Sequence, residues 1–195
     1  MPKSTPLKTI LLFASGNGSN AENIVRHFQQ SKQVKVSALF CNNPKAGVIQ
    51  RMEKLGVAVH QFNRETFLNS SLFLPLIESY KPDLIVLAGF LWLLPEYLVK
   101  AYANRIINIH PALLPGYGGK GMYGHHVHEA VLKNKEKEHG ITIHFVNEKY
   151  DDGQVIFQAK FEVKPEMNLE AVSKAISSLE MQYFPEAIER VLGLK

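Results

Sequence analysis

Thr9-Ile10-Leu11-Leu12-Phe13-Ala14-Ser15-Gly16-Asn17-Gly18-Ser19-Asn20-Ala21 decides the fold. The run from Ile10 to Ala14 is apolar without alternation, the pattern of a strand covered on both faces. Two glycines then allow a tight turn. From Ser19 to Gln30, Ala21, Ile24, Val25 and Phe28 recur at helical spacing. Strand, glycine turn and helix in that order open a βαβ unit.

Outward from this stretch the same rhythm continues. Val34 to Cys41 reads as a second strand, closed by Asn42-Asn43-Pro44. Ala46 to Leu55 is helical and stops at Gly56, a natural C-terminal cap. Val57 to Val59 is a short strand. Ser70 to Tyr80 is a helix broken by Lys81-Pro82-Asp83, and Leu84 to Ala88 is a buried strand. Pro95 opens a helix to Tyr102, and Arg105 to Ile109 is a fifth strand. Beyond a glycine-rich stretch the rhythm changes. His125 to Lys133 is helical. Ile141 to Val146 and Val155 to Val163 read as antiparallel strands joined by the turn Glu148 to Gly153. Leu169 to Leu192 is an amphipathic helix that Pro185 is expected to kink. The expected fold is α/β: a Rossmann-like, doubly wound, mostly parallel sheet with C-terminal antiparallel strands and a long C-terminal helix. One domain, 1–195, is expected, with halves at about 1–110 and about 111–195.

Composition narrows the function. The 195 residues are 46% hydrophobic and 21% charged, which excludes a disordered chain. No apolar run approaches ~18 residues, and the longest, Leu84 to Leu94, is interrupted by Gly89, so no membrane helix is expected. The start, Met1 to Pro6, runs straight toward a strand and carries no signal-peptide pattern. The one cysteine, Cys41, excludes an internal disulfide and suits a reducing, cytoplasmic compartment. The net charge of +4 (22 minus 18) is spread without a basic run. That argues against a nucleic-acid surface and fits a phosphorylated small anion. Six of the eight histidines lie between His110 and His144, and five of the thirteen glycines between Gly116 and Gly124.

Three motifs carry chemistry. In the first turn, Gly18, Ser19 and Asn20 precede a helix whose leading N–H groups suit a phosphate; Ser19 and Asn20 equally suit a helix cap. Gly16-x-Gly18-x-x-Ala21 also matches a dinucleotide fingerprint, but that site needs a carboxylate after the second strand. Cys41-Asn42-Asn43 stands there, and the next carboxylate is Glu53. The second motif, Asn108-Ile109-His110-Pro111, ends the fifth strand, where alternation points Asn108 and His110 to the same side. An amide donor beside an imidazole suits oxyanion stabilisation and proton movement. No Ser or Cys nucleophile sits beside them, which favours direct transfer between two substrates. The third is Asp151-Asp152, in the late turn: a carboxylate near His110 would raise its pKa, and an ordinary turn aspartate reads the same way. His125, His126 and His128 invite a metal, but neither HExxH nor paired cysteines accompany them, so none is expected.

Together, Ser15 to Asn20, Leu87-Ala88-Gly89-Phe90, Asn108 to Pro115, and His139 to Val146 leading into Asp151-Asp152-Gly153 resemble the phosphoribosylglycinamide formyltransferase family, in register over almost the whole chain. The resemblance implies a cytoplasmic enzyme of purine synthesis, a monomer or homodimer without metal, membrane or nucleic-acid partners. Its substrates would be glycinamide ribonucleotide and 10-formyltetrahydrofolate. By position, Asn108 would bond the formyl oxygen and His110 would stabilise the oxyanion. Asp151 would raise the pKa of His110 and help move a proton. Gly18, Ser19 and Asn20 would hold the phosphate and Glu180 the ribose. Arg64 and Leu91-Trp92-Leu93-Leu94, with Asn108, would contact folate, and the turn Glu148 to Asp152, in the folate-binding second half, would close over the pterin.

This sequence departs from that family pattern in three places. Gly116 to Gly124 is longer and richer in glycine. Trp92 stands where relatives carry a basic or polar residue. Asp152 replaces a glycine, which leaves Asp151 favoured by register. Two rivals remain: another formyl-folate enzyme, such as a formyltetrahydrofolate hydrolase, and a non-catalytic dinucleotide-binding module.

Overall fold

The computed structural model describes residues 6–194. They form seven strands and seven helices in two compact units, Met1–Ile106 and Ile107–Lys195.

The first unit holds β1 (Lys8–Ala14), α1 (Ser19–Phe28), β2 (Val34–Cys41), α2 (Val48–Lys54), β3 (Ala58–Gln61), α3 (Arg64–Leu68), α4 (Ser70–Ser79), β4 (Leu84–Leu87) and α5 (Glu96–Ala101). Its strands run in the order β3-β2-β1-β4, every pair parallel. β1 is central and β4 lies beside it, which explains their continuous apolar runs: Ile10 to Ala14 and Leu84 to Leu87 are all buried. Phe13 stacks on Phe40 at 5.1 Å and meets Phe62, Phe73 and Phe90 edge-on. Such pairs add to the burial energy because ring edges and faces carry opposite partial charge. The breaker before β4 also fastens it. Asp83 accepts from the Thr9 backbone N–H (2.8 Å) and from the Lys8 ammonium (2.9 Å).

α3 is a helix that periodicity does not reveal. It has five residues, too few for an apolar stripe, and forms because the Asn63 side chain caps the Thr66 N–H at 2.8 Å. Asn69 caps α4 in the same way, through the Ser71 N–H.

The second unit takes up β5 (Ile106–His110), whose first residue belongs to the first unit, with α6 (His125–Lys133), β6 (Glu138–Phe145), β7 (Val155–Glu162) and α7 (Leu169–Val191). β6 pairs antiparallel with β7, as expected, and also antiparallel with β5. It starts three residues earlier than apolarity suggests, because Glu138, His139 and Gly140 pair with Glu162, Phe161 and Lys160. α7 is capped by Asn168 and continues through Pro185 to Val191. Phe184, Ala187 and Ile188 are buried on either side of that proline, and their packing outweighs the lost backbone donor.

Candidate active site

In the first unit the glycine turn leaves β1 and enters α1. Gly18 is the residue before the helix, with φ at +83°, and its side-chain-free backbone supplies no capping bond. Ser19 and Asn20 lie within the first turn of α1, so the expectation that they might cap it is not met. The leading N–H groups of a ten-residue helix therefore point away without a side-chain cap, the arrangement that suits an anion. Val48 N–H donates to the Gly16 carbonyl, and the Asn43 amide donates to the Ser15 carbonyl, so β2 and α2 hold the turn. Arg51 extends from α2 to Glu22 and to the Asn17 side chain. Asn42 Oδ1 at the end of β2 is buried and has no hydrogen-bond partner, a second polar point beside the turn that sequence reading did not single out.

The segment after β4 hangs from the same turn. Ser15 N–H donates to the Gly89 carbonyl at 3.0 Å, and Leu91 N–H donates to Ser15 Oγ at 3.0 Å. Leu91 and Leu93 are exposed while Leu94 is buried. Trp92 packs against Phe62, Phe67 and Phe90, and the Arg64 guanidinium lies 5.6 Å over its ring. Arg64 and Trp92, singled out separately in the sequence, thus form one cation–π pair. Glu180 lies in the middle of α7, in the second unit.

The second unit brings Asn108, His110 and Asp151 together. On β5, Asn108 lies opposite His144 and His110 opposite Thr142 of β6. His144 Nδ1 contacts the Phe145 carbonyl at 2.8 Å, and a carbonyl only accepts, so this nitrogen carries the proton. Its Nε2 then accepts from the Asn108 amide at 3.2 Å. This bond fixes which way the Asn108 amide faces. His110 Nε2 donates to the Tyr117 carbonyl at 2.8 Å, and its Nδ1 faces Asp151 Oδ1 at 3.5 Å. Asp151 Oδ1 also lies 3.7 Å from His144 Nε2, beyond hydrogen-bond distance, and its other oxygen accepts from the Gly119 N–H at 2.9 Å. Asp152 faces outward to Lys149 and Asn147, so the geometry separates the two aspartates.

The electrostatics differ from the sequence expectation in one respect. Asp151 does push the pKa of His110 upward, but burial acts more strongly the other way and leaves it below the ordinary histidine value. Burial alone would raise Asp151. The contacts from His144, His110 and the Gly119 N–H outweigh it and hold the carboxyl below its usual range. The site is therefore poised with a neutral imidazole beside an ionised carboxylate. A proton arriving on Nδ1 meets that carboxylate at once.

The segment after His110 is pinned by a buried hydroxyl. Thr142 Oγ1 donates to the Ala112 carbonyl at 2.7 Å and accepts from the Leu114 N–H at 3.0 Å; Gln158 bonds both Thr142 and the Leu114 carbonyl. Two contributors escaped the sequence reading. His144 stands in the sequence only within the stretch His139 to Val146, with no role of its own, although its place opposite Asn108 follows from antiparallel register. Tyr117 acts through its backbone carbonyl, which leaves no mark on side-chain chemistry. Its hydroxyl donates to Glu136 at 2.7 Å and accepts from Asn134 at 2.8 Å, anchoring the loop. His128 turns inward and bonds His139 at 3.0 Å, so it is not grouped with His125 and His126.

Comparison with known proteins extends this picture. The family described as "Formyl transferase" matches residues 8–188. The chain is 34% identical over 193 residues to phosphoribosylglycinamide formyltransferase of Bacillus subtilis (strain 168), covering 96% of each. It is also 34% identical over 184 residues to the protein of that name from Escherichia coli (strain K12), covering 92% of this chain and 84% of that one. The solved structure of phosphoribosylglycinamide formyltransferase from Coxiella burnetii, in complex with CHES, superposes with a TM-score of 0.86 at 32% identity. It covers 96% of this chain and 89% of that one.

Proposed function

The chain belongs to the formyl transferase family, and on that premise we propose that it transfers the formyl group of 10-formyltetrahydrofolate to the amine of glycinamide ribonucleotide in purine biosynthesis. The amine attacks the formyl carbon and forms a C–N bond, and the carbonyl oxygen becomes an oxyanion. The bond to the folate nitrogen then breaks, and the proton lost by the amine reaches that nitrogen. No covalent enzyme intermediate is involved.

The observation that carries this reading is the His110–Asp151 contact with Asn108 alongside. The Asn108 amide, aimed by His144, bonds the formyl oxygen. His110 donates Nε2–H to the oxyanion, which takes that proton contact over from the Tyr117 carbonyl. Nε2 keeps its proton in that hydrogen bond, while Nδ1 takes the proton lost by the amine, Asp151 stabilises the imidazolium so formed, and the same proton then passes to the folate nitrogen. Burial of His110 strengthens the contacts it makes.

In the first unit, Gly18, Ser19 and Asn20 receive the substrate phosphate, supported by the uncapped start of α1. Glu180 holds ribose hydroxyls. Arg64 and Leu91 to Leu94 contact folate, supported by the cation–π pair and the exposed Leu91 and Leu93. The enzyme works in the cytoplasm, as a monomer or homodimer, without metal in its chemistry. No described helix is long and apolar enough to cross a membrane. The test is tetrahydrofolate release dependent on glycinamide ribonucleotide. Release at the same rate without the ribonucleotide would mark a hydrolase, and folded protein with no release would sink the proposal.

A further inference from the structure

We propose that the outer face of the first turn of α6 is a binding site for a divalent first-row transition-metal ion of the zinc class, held by His125, His126 and Glu129. This goes beyond the formyl-transfer chemistry, which uses none of these side chains.

Among the described residues, these three form a group in which one ligand atom from each lies within 4.8 Å of the others. The spacing follows from the helix. His125 and Glu129 are four residues apart and His126 and Glu129 three, so both histidines share a face with the carboxylate. His126 Nδ1 is already 3.9 Å from Glu129 Oε2, and the His125 and His126 rings are 4.1 Å apart. A tetrahedral zinc ion with ligands at about 2.0–2.2 Å brings its ligand atoms to roughly 3.4 Å from one another. All three side chains are exposed, so small rotations close that gap without moving buried structure.

The donor set selects the ion. Two imidazoles and one carboxylate favour zinc, nickel or copper over magnesium or calcium, which take oxygen ligands. The fourth position is left to water. His128 does not compete, because it faces inward and bonds His139. The Tyr123 ring meets His126 edge-on at 5.3 Å and restricts its orientation.

The position gives the ion a mechanical consequence. Gly124 precedes α6 and supplies no side-chain cap, so the metal ties a turn that the sequence leaves open. It also fixes one end of the loop whose Tyr117 carbonyl and Gly119 N–H hold His110 and Asp151.

The test is calorimetric titration of tag-free, chelator-treated protein with zinc chloride. One ion per chain is expected. His126→Ala and Glu129→Gln should each weaken binding at least about tenfold, while His27→Ala, an exposed histidine on α1, should leave it unchanged. Circular dichroism of each variant confirms folding, and the d–d absorption of added cobalt should lose intensity in the two ligand variants. No saturable binding up to about 1 mM zinc overturns the proposal. Equal affinity in wild type and both ligand variants overturns it as well, since the ion would then sit elsewhere.

Discussion

Gly18→Ala separates the structural logic of the glycine turn from its proposed chemistry. The native φ of +83° costs a side-chain-bearing residue about 1–2 kcal/mol. An added Cβ would also lie 2.3 Å from Val48 Cγ2, 2.5 Å from Val48 Cβ and 2.8 Å from Val48 Cα. The last is backbone and cannot rotate away. Overpacking of that kind typically costs about 1–3 kcal/mol. The expected destabilisation is therefore about 2–5 kcal/mol, a large share of the 5–15 kcal/mol typical of a domain. Urea unfolding followed by circular dichroism measures it, with an unchanged slope showing that the two end states are the same. Adding Val48→Ala removes both γ-methyls but only one of these clashes, that with Cγ2, so the double variant should recover a minor part of the loss. Because the start of α1 shifts, KM for glycinamide ribonucleotide should rise more than kcat falls. A loss below about 1 kcal/mol, or full recovery in the double variant, would refute the reasoning.

His110→Ala should lower kcat by about 10²–10⁴ while KM changes little; steady-state kinetics decides, and a change confined to KM contradicts the transition-state role. Asp151→Asn should lower kcat and move the His110 titration, followed by NMR, further toward acid, because the group that raises its pKa is gone. Asp152→Asn should leave both unchanged, as its side chain faces Lys149. The buried His128–His139 pair should make stability depend on pH. Burial lowers both pKa values, that of His139 to about 4, so the fold binds these protons less readily than the unfolded chain. This contribution is complete above the ordinary histidine value of about 6.5 and is lost as pH falls from there toward 4. Urea midpoints across that range measure it, and His128→Leu with His139→Phe should flatten the profile.

Much of this was legible in the residues themselves. The unbroken apolar runs of β1 and β4 announced buried parallel strands, and period-two alternation placed Asn108 and His110 on one side of β5. The resemblance in the late turn favoured Asp151, and the structure turns Asp152 outward. Other features needed three dimensions. The Asn108–His144 bond depends on antiparallel register between distant segments. The Tyr117 and Gly119 contacts come from backbone atoms, which carry no residue-type signature. The net pKa of His110 is a balance of burial against charge, and the sequence shows only the charge. α3 is held by a single cap, too small a signal for periodicity.

The Arg51–Glu22 pair bears on how the glycine turn would meet the proposed substrate phosphate. Glu22 binds both Arg26 and Arg51, and Arg51 also reaches Asn17 in the turn. Two guanidiniums thus share one carboxylate, and the cluster that reaches the turn keeps a net positive charge. An arriving dianion would meet aligned N–H groups and a partly compensated cation. Its long-range attraction is that of about one residual charge, damped beyond the ~8 Å screening length of physiological salt. Capture at this turn thus combines short-range fit with a modest attraction, and its rate should fall modestly as ionic strength rises.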